Sequence, residues 1–71
     1  MAPLQELRSL MYIPDAAVSI DRAGVSDTSR KLLSLDEATF QELMIGVDVG
    51  SLPKWCQCVL QNRVHQPKAA Q

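Results

Sequence analysis

Apolar residues recur at helical spacing in three stretches of the chain. In the last, Leu52, Trp55, Cys56, Val59 and Leu60 fall at i, i+3, i+4, i+7 and i+8, which is one face of a helix. Its opposite face carries Lys54, Gln57, Cys58, Gln61 and His65, with Asn62 beside them. Upstream, Phe40, Leu43, Met44 and Val47 repeat at i, i+3, i+4 and i+7. Near the start, Leu4, Leu7, Leu10 and Met11 form a third stripe; Pro3 suits a first helical turn and Glu6 the positive end of the dipole. Pro14 disfavours helical geometry at Ile13, so the first helix is predicted over 3–12.

Punctuation residues divide the rest. Ser34-Leu35-Asp36-Glu37 has the form of a capping box, with the Ser34 hydroxyl accepting from the Glu37 amide and the Glu37 carboxylate reaching back. Gly46 supplies the left-handed residue that ends the helix so begun. Asp48 or Ser51 can cap the last helix. Pro53 is tolerated only in a first turn, so Ser51 is the expected cap, with Leu52 and Pro53 opening the helix. Residues 15–23 read two ways: Val18-Ser19-Ile20 alternates like a strand, while Pro14, Asp15, Arg22 and Gly24 are the end signals of a two-turn helix. Ser26-Asp27-Thr28-Ser29 is rich in capping oxygens and reads as a loop or a short helical turn. Pro67 ends the order, giving one helical domain over 1–66 and a frayed tail over 67–71.

Composition narrows this picture. Seventy-one residues make one domain with a thin core, and a second copy is the simplest way to thicken it, so a homodimer is expected. The 46% hydrophobic content excludes a wholly disordered chain. No apolar run approaches the ~20 residues that span a bilayer, so no membrane partner is expected. Cys56 and Cys58 lie one residue apart, on nearly opposite faces of a helix, where they cannot bridge each other. Two such cysteines without a leader peptide read as intracellular, reduced and cytoplasmic.

Charge is uneven. Residues 1–48 hold all eight acids against four bases, or −4; residues 49–71 hold Lys54, Arg63 and Lys68 without an acid, or +3. This split suggests one face for an anionic partner. No chemistry for catalysis accompanies it. Asp36, Glu37 and Glu42 lack a basic or nucleophilic neighbour and read as a dipole-matched helix start. Cys58 and His65 make a poor metal chelate and no catalytic pair. The chain reads as a non-enzyme without cofactor or metal.

Ile45-Gly46-Val47 at a turn, followed by Leu52 and Trp55 on the next helix, resembles the helix-turn-helix unit of small bacterial and phage DNA-binding proteins, over residues 34–64. Glu42 stands where that superfamily usually has a small residue, and Pro53 lengthens the turn. The resemblance implies an all-α fold of three to five helices containing such a pair, and a transcriptional regulator of phage or bacterial type. Ser51, Lys54, Gln57, Cys58 and Gln61 would then face the major groove, where glutamine can pair with adenine and lysine with guanine or phosphate. Arg63, His65 and Lys68 would neutralise phosphates of duplex DNA. The residues also allow another class of function, a small adaptor or inhibitor that docks on a protein. The acidic N-terminal half favours it, and Leu4, Leu7 and Met11 are its candidate interface.

Overall fold

In the computed structural model, which describes residues 4–65, every regular element among the described residues is helical. Helix α1 spans Leu4–Leu10, α2 Arg22–Ser34, α3 Glu37–Met44 and α4 Lys54–His65. Short 3-10 turns at Asp15–Ala17 and Val49–Ser51 punctuate the α1–α2 and α3–α4 connections.

The three apolar stripes meet in one core. Leu7 and Met11 from the first stripe, Leu32 from α2, Leu43 from α3, and Leu52, Cys56 and Leu60 from the last are buried together. Phe40, Met44, Val47, Trp55 and Val59 pack against them. α4 packs chiefly on α2, the helix least visible in the sequence. Residues 45–53 separate α3 from α4, more than the three or four residues of a helix-turn-helix turn.

Helix α2 replaces the expected break at residues 24–29. Asp21 is its N-cap, accepting from the Gly24 amide at 3.1 Å, so Gly24 opens a helix instead of closing one. A Cβ on Gly24 would run into the Asp21 carboxylate, which would have to shift to make room for it. Residues 15–23 accordingly form neither strand nor two-turn helix. Pro14 starts a single 3-10 turn (the Ala17 amide donates to the Pro14 carbonyl at 2.9 Å), and the chain is then taken up by the Asp21 cap. The serine-rich segment is helical because Val25, Thr28 and Leu32 line up at i, i+3 and i+7 on its buried side. Asp27 meets Lys31 at 3.3 Å and Arg30 at 3.8 Å on its exposed side, adding tenths of a kcal/mol.

Thr28 is the polar member of that inward stripe, and its hydroxyl is buried without a hydrogen-bond partner. Leaving such a group unpaired costs ~1–3 kcal/mol, so Thr28→Val, which keeps the shape, is expected to raise stability by about 1 kcal/mol in urea unfolding. A loss of stability on this substitution would mean that the hydroxyl has a partner.

The capping box does not form. Arg30-Lys31-Leu32-Leu33 are good helix formers that carry α2 through Ser34, whose hydroxyl donates backward to the Lys31 carbonyl at 3.2 Å. The cap of α3 is instead Asp36, which accepts from the Thr39 amide at 3.3 Å and its hydroxyl at 2.6 Å. Those two bonds hold the Asp36 carboxyl below its ordinary pKa. Its contribution to stability is therefore complete above the unfolded-state value and fades as pH falls through the folded one. At the other end of α3, Gly46 adopts φ 79°, the left-handed geometry expected of it.

Ser51 is not the cap of α4. It lies in the 3-10 turn, donating to the Asp48 carboxylate at 2.8 Å, while Asp48 caps that turn by accepting from the Gly50 amide at 3.2 Å. Pro53 follows the extended residue Leu52 and stands just before α4, and its carbonyl receives the Cys56 and Gln57 amides. The free amides of Lys54 and Trp55 donate to a carboxylate 39 and 40 residues away, that of Asp15, at 2.7 and 3.0 Å.

Two further helix ends are completed from afar. The Arg8 Nε on α1 donates to the Leu43 carbonyl of α3 at 3.1 Å. The Arg63 guanidinium on α4 donates to the Leu32 and Leu33 carbonyls of α2 at 3.1 and 3.4 Å. Each places a cation at the negative end of a helix dipole.

Candidate interaction surface

The outward face of α4 presents Lys54, Cys58 and Gln61 to solvent. Ser51 is exposed too, although its hydroxyl is held by Asp48. Gln57 is half-buried, and its side-chain amide donates to the Leu52 carbonyl at 2.8 Å. Trp55 anchors the helix as its stripe position implies: the ring packs on the core and Nε1 donates to the Ile13 carbonyl at 2.6 Å. Lys68 lies outside the described residues, as does the side chain of His65.

Arg63 faces inward. Its side chain is 12% exposed, meets the Glu37 carboxylate at 3.3 Å, and stacks over the Phe40 ring with the guanidinium carbon 4.1 Å from the centroid. With its remaining donors on α2 carbonyls, it works as a fastener between α2, α3 and α4. The acid-free stretch over 49–71 therefore offers a thinner positive face than its formal +3. The carboxylate of Asp15 also occupies the N-terminus of α4, where a groove-bound helix would meet a phosphate.

The N-terminal stripe is inside as well. Met11 is fully buried and Leu7 nearly so, and Leu4 packs against the same cluster. Leu7 and Met11 are thus core residues and Leu4 packs half-buried against them, because α1 buries its apolar face against α2 and α3.

Among the described residues, the exposed large apolar ones are Tyr12, Ile20, Val64 and, at the turn after α3, Ile45 and Val49. Ile45 is 72% exposed and Val49 44%, on either side of Gly46. Along α3 the solvent-facing residues Ala38, Gln41, Glu42 and Ile45 follow i, i+3, i+4 and i+7. From Leu32 to Pro53 the chain carries four acids, Asp36, Glu37, Glu42 and Asp48, and no base. Two exposed large aliphatics next to a run of unmixed acids were the available signal, and the core-facing stripe on the same helix drew attention from it.

Cys56 is buried, and desolvation pushes its thiol up to about 11, while Cys58 is exposed. Among the described residues no three His, Cys, Asp or Glu side chains are grouped to hold a metal ion, and no helix is long and apolar enough to cross a membrane. Comparison with family models, curated proteins and solved structures finds no match to this chain.

Proposed function

We propose that this chain is a small non-enzymatic module that binds another protein, docking a basic segment with apolar residues on the outward stripe of α3 and the turn that follows it. What supports this reading is the exposure of Ile45 and Val49 within a segment of four acids and no base. Large aliphatics held in water gain up to ~1.5–3 kcal/mol each on full burial. The exposed acids Glu42 and Asp48, next to them in the chain, favour a cationic partner and repel a nucleic-acid backbone, Glu37 being paired with Arg63. Free thiols at Cys56 and Cys58 go with an intracellular setting. A regulator that reads duplex DNA is the second reading, favoured by the acid-free outer face of α4 with Lys54 and Gln61 exposed.

One titration separates the two. The isotope-labelled chain is mixed in turn with a Lys/Leu amphipathic peptide, a Glu/Leu peptide of the same pattern, and a short mixed-sequence duplex, and amide shifts are followed by NMR. The Lys/Leu peptide is expected to move amides from Gln41 to Val49, with affinity falling at least roughly tenfold when Ile45 and Val49 are both replaced by serine. The Glu/Leu peptide and the duplex should leave these amides in place. Duplex-induced shifts over Lys54 to Gln61, weakening steeply with salt, would replace this reading with the DNA-binding one.

A further inference from the structure

Between Met11 and Val25, both buried, no residue is buried. Ile20 stands 86% exposed, and the 3-10 turn at Asp15–Ala17 contributes nothing to the core. The backbone hydrogen bonds of this stretch are local: Ala17 to Pro14, Val18 to Asp15, and Ile20 and Asp21 to Ala17. Its bonds to the rest of the fold converge on two residues of α4. Asp15 receives the Lys54 and Trp55 amides, and the Ile13 carbonyl receives the Trp55 indole.

We infer that residues 12–21 form a strap that lifts off the start of α4 as a unit while the helical core stays packed. The physical basis is the contrast between its ends and its middle. Met11 and Val25 fix both ends, so opening is a bounded swing about the residues beside them. The internal bonds travel with the strap; among the described residues, three hydrogen bonds to α4 must break. The Tyr12 and Ile13 amides donate to the Ser9 and Leu10 carbonyls at one hinge, and the Asp21 cap of α2 lies at the other. Segments with little buried apolar surface and exposed hydrogen bonds open locally at much lower free energy than the whole domain. Closed, the strap covers two backbone donors and the polar edge of the indole. Open, it bares them side by side next to an apolar ring, a state in which α4 can be engaged differently. This device does not depend on the docking surface proposed above.

Hydrogen exchange of individual amides in the full chain, across low denaturant concentrations, tests it. The Lys54 and Trp55 amides are expected to exchange by a route insensitive to denaturant, and faster than those of Leu32, Leu43 and Leu60, which await global unfolding. Asp15→Ala should speed Lys54 and Trp55 roughly tenfold or more, leave the three core amides within about twofold, and increase quenching of Trp55 fluorescence. Asp15→Asn, which keeps one acceptor oxygen, should lie between. If Lys54 and Trp55 exchange in the unmodified chain with the same denaturant dependence as Leu32, the strap opens only with the whole fold and the inference is wrong. That measurement decides the matter even if Asp15→Ala does not fold. Equal acceleration of all five amides by either variant, or acceleration of none, would also overturn it.

Discussion

Met11→Ala is expected to remove about 2–5 kcal/mol of stability, the range for truncating a large buried side chain. Met11 has no exposed surface, sits just past the end of α1, and joins the cluster formed by Leu32, Leu43 and Cys56. A domain of this length has roughly 4–11 kcal/mol in total at ~0.05–0.15 kcal/mol per residue, so the loss is a large share of it. Leu4→Ala, on the same stripe but only partly buried, should cost about 1 kcal/mol. Urea unfolding of both gives the comparison. If Met11 were a docking residue, its substitution would spare the fold and lower affinity for a partner; an unchanged urea midpoint would therefore contradict its place in the core.

Arg63→Ala should be nearly as damaging, at about 2–4 kcal/mol, for reasons that have nothing to do with phosphate. Hydrogen bonds from a charged donor are worth ~1.5–3 kcal/mol, and a partly desolvated guanidinium over a ring adds ~0.5–2. Both are made here, to the Leu32 and Leu33 carbonyls and to Phe40. The ion pair contributes less, because Glu37 is 71% exposed and an exposed pair is worth ~0–1 kcal/mol. Glu37→Gln should accordingly cost under about 1 kcal/mol, and a double-mutant cycle should assign only that fraction to the pair. At ~4–8 °C per kcal/mol, the arginine variant melts about 10–30 °C lower. An arginine truncation as mild as the glutamine one would mean that the guanidinium is free in solution and available to an anion.

How much of this was legible in the chain depends on whether the cause was local. The stripes of α1, α3 and α4 reveal themselves through periodicity, because a helix must bury one face, and Gly46 announces its turn because few other residues take φ 79° without strain. α2 was hidden. Its inward stripe has Thr28 in the middle, and Ser26, Asp27 and Ser29 favour caps and turns when judged singly. Packing against α4 overrides that preference. The caps differ from Ser34 and Ser51 for two reasons. Asp36, closer to α3 than Ser34, takes two donors at once, while Ser51 is held in the 3-10 turn by Asp48 and the α4 amides go to the distant Asp15. Arg63 falls at i+7 from Cys56, on the apolar side of α4, so its inward place and an acid partner from the N-terminal part of the chain are legible. Which helix ends Arg8, Asp15 and Arg63 finish is not, since each lies at least 30 residues away.

The same arithmetic of separation bears on the proposed surface. Core-facing and solvent-facing residues of α3 alternate around one short helix, so the Phe40-Leu43-Met44 periodicity could be read while the exposed Ile45 beside it passed as punctuation. A hydrophobic residue just beyond a periodic stripe is ambiguous until the neighbouring helices are in place.

Helices finished by remote partners have little autonomy. A peptide excised over 37–65 would keep both members of the supposed DNA-reading pair, yet it would lack Arg8 for one terminus, Asp15 for the other, and the carbonyls that restrain Arg63. Nucleation within either member alone thus gains little until the chain has closed on itself. The orientation of the outward face of α3 therefore depends on Arg8 of α1 and Arg63 of α4 as much as on α3 itself.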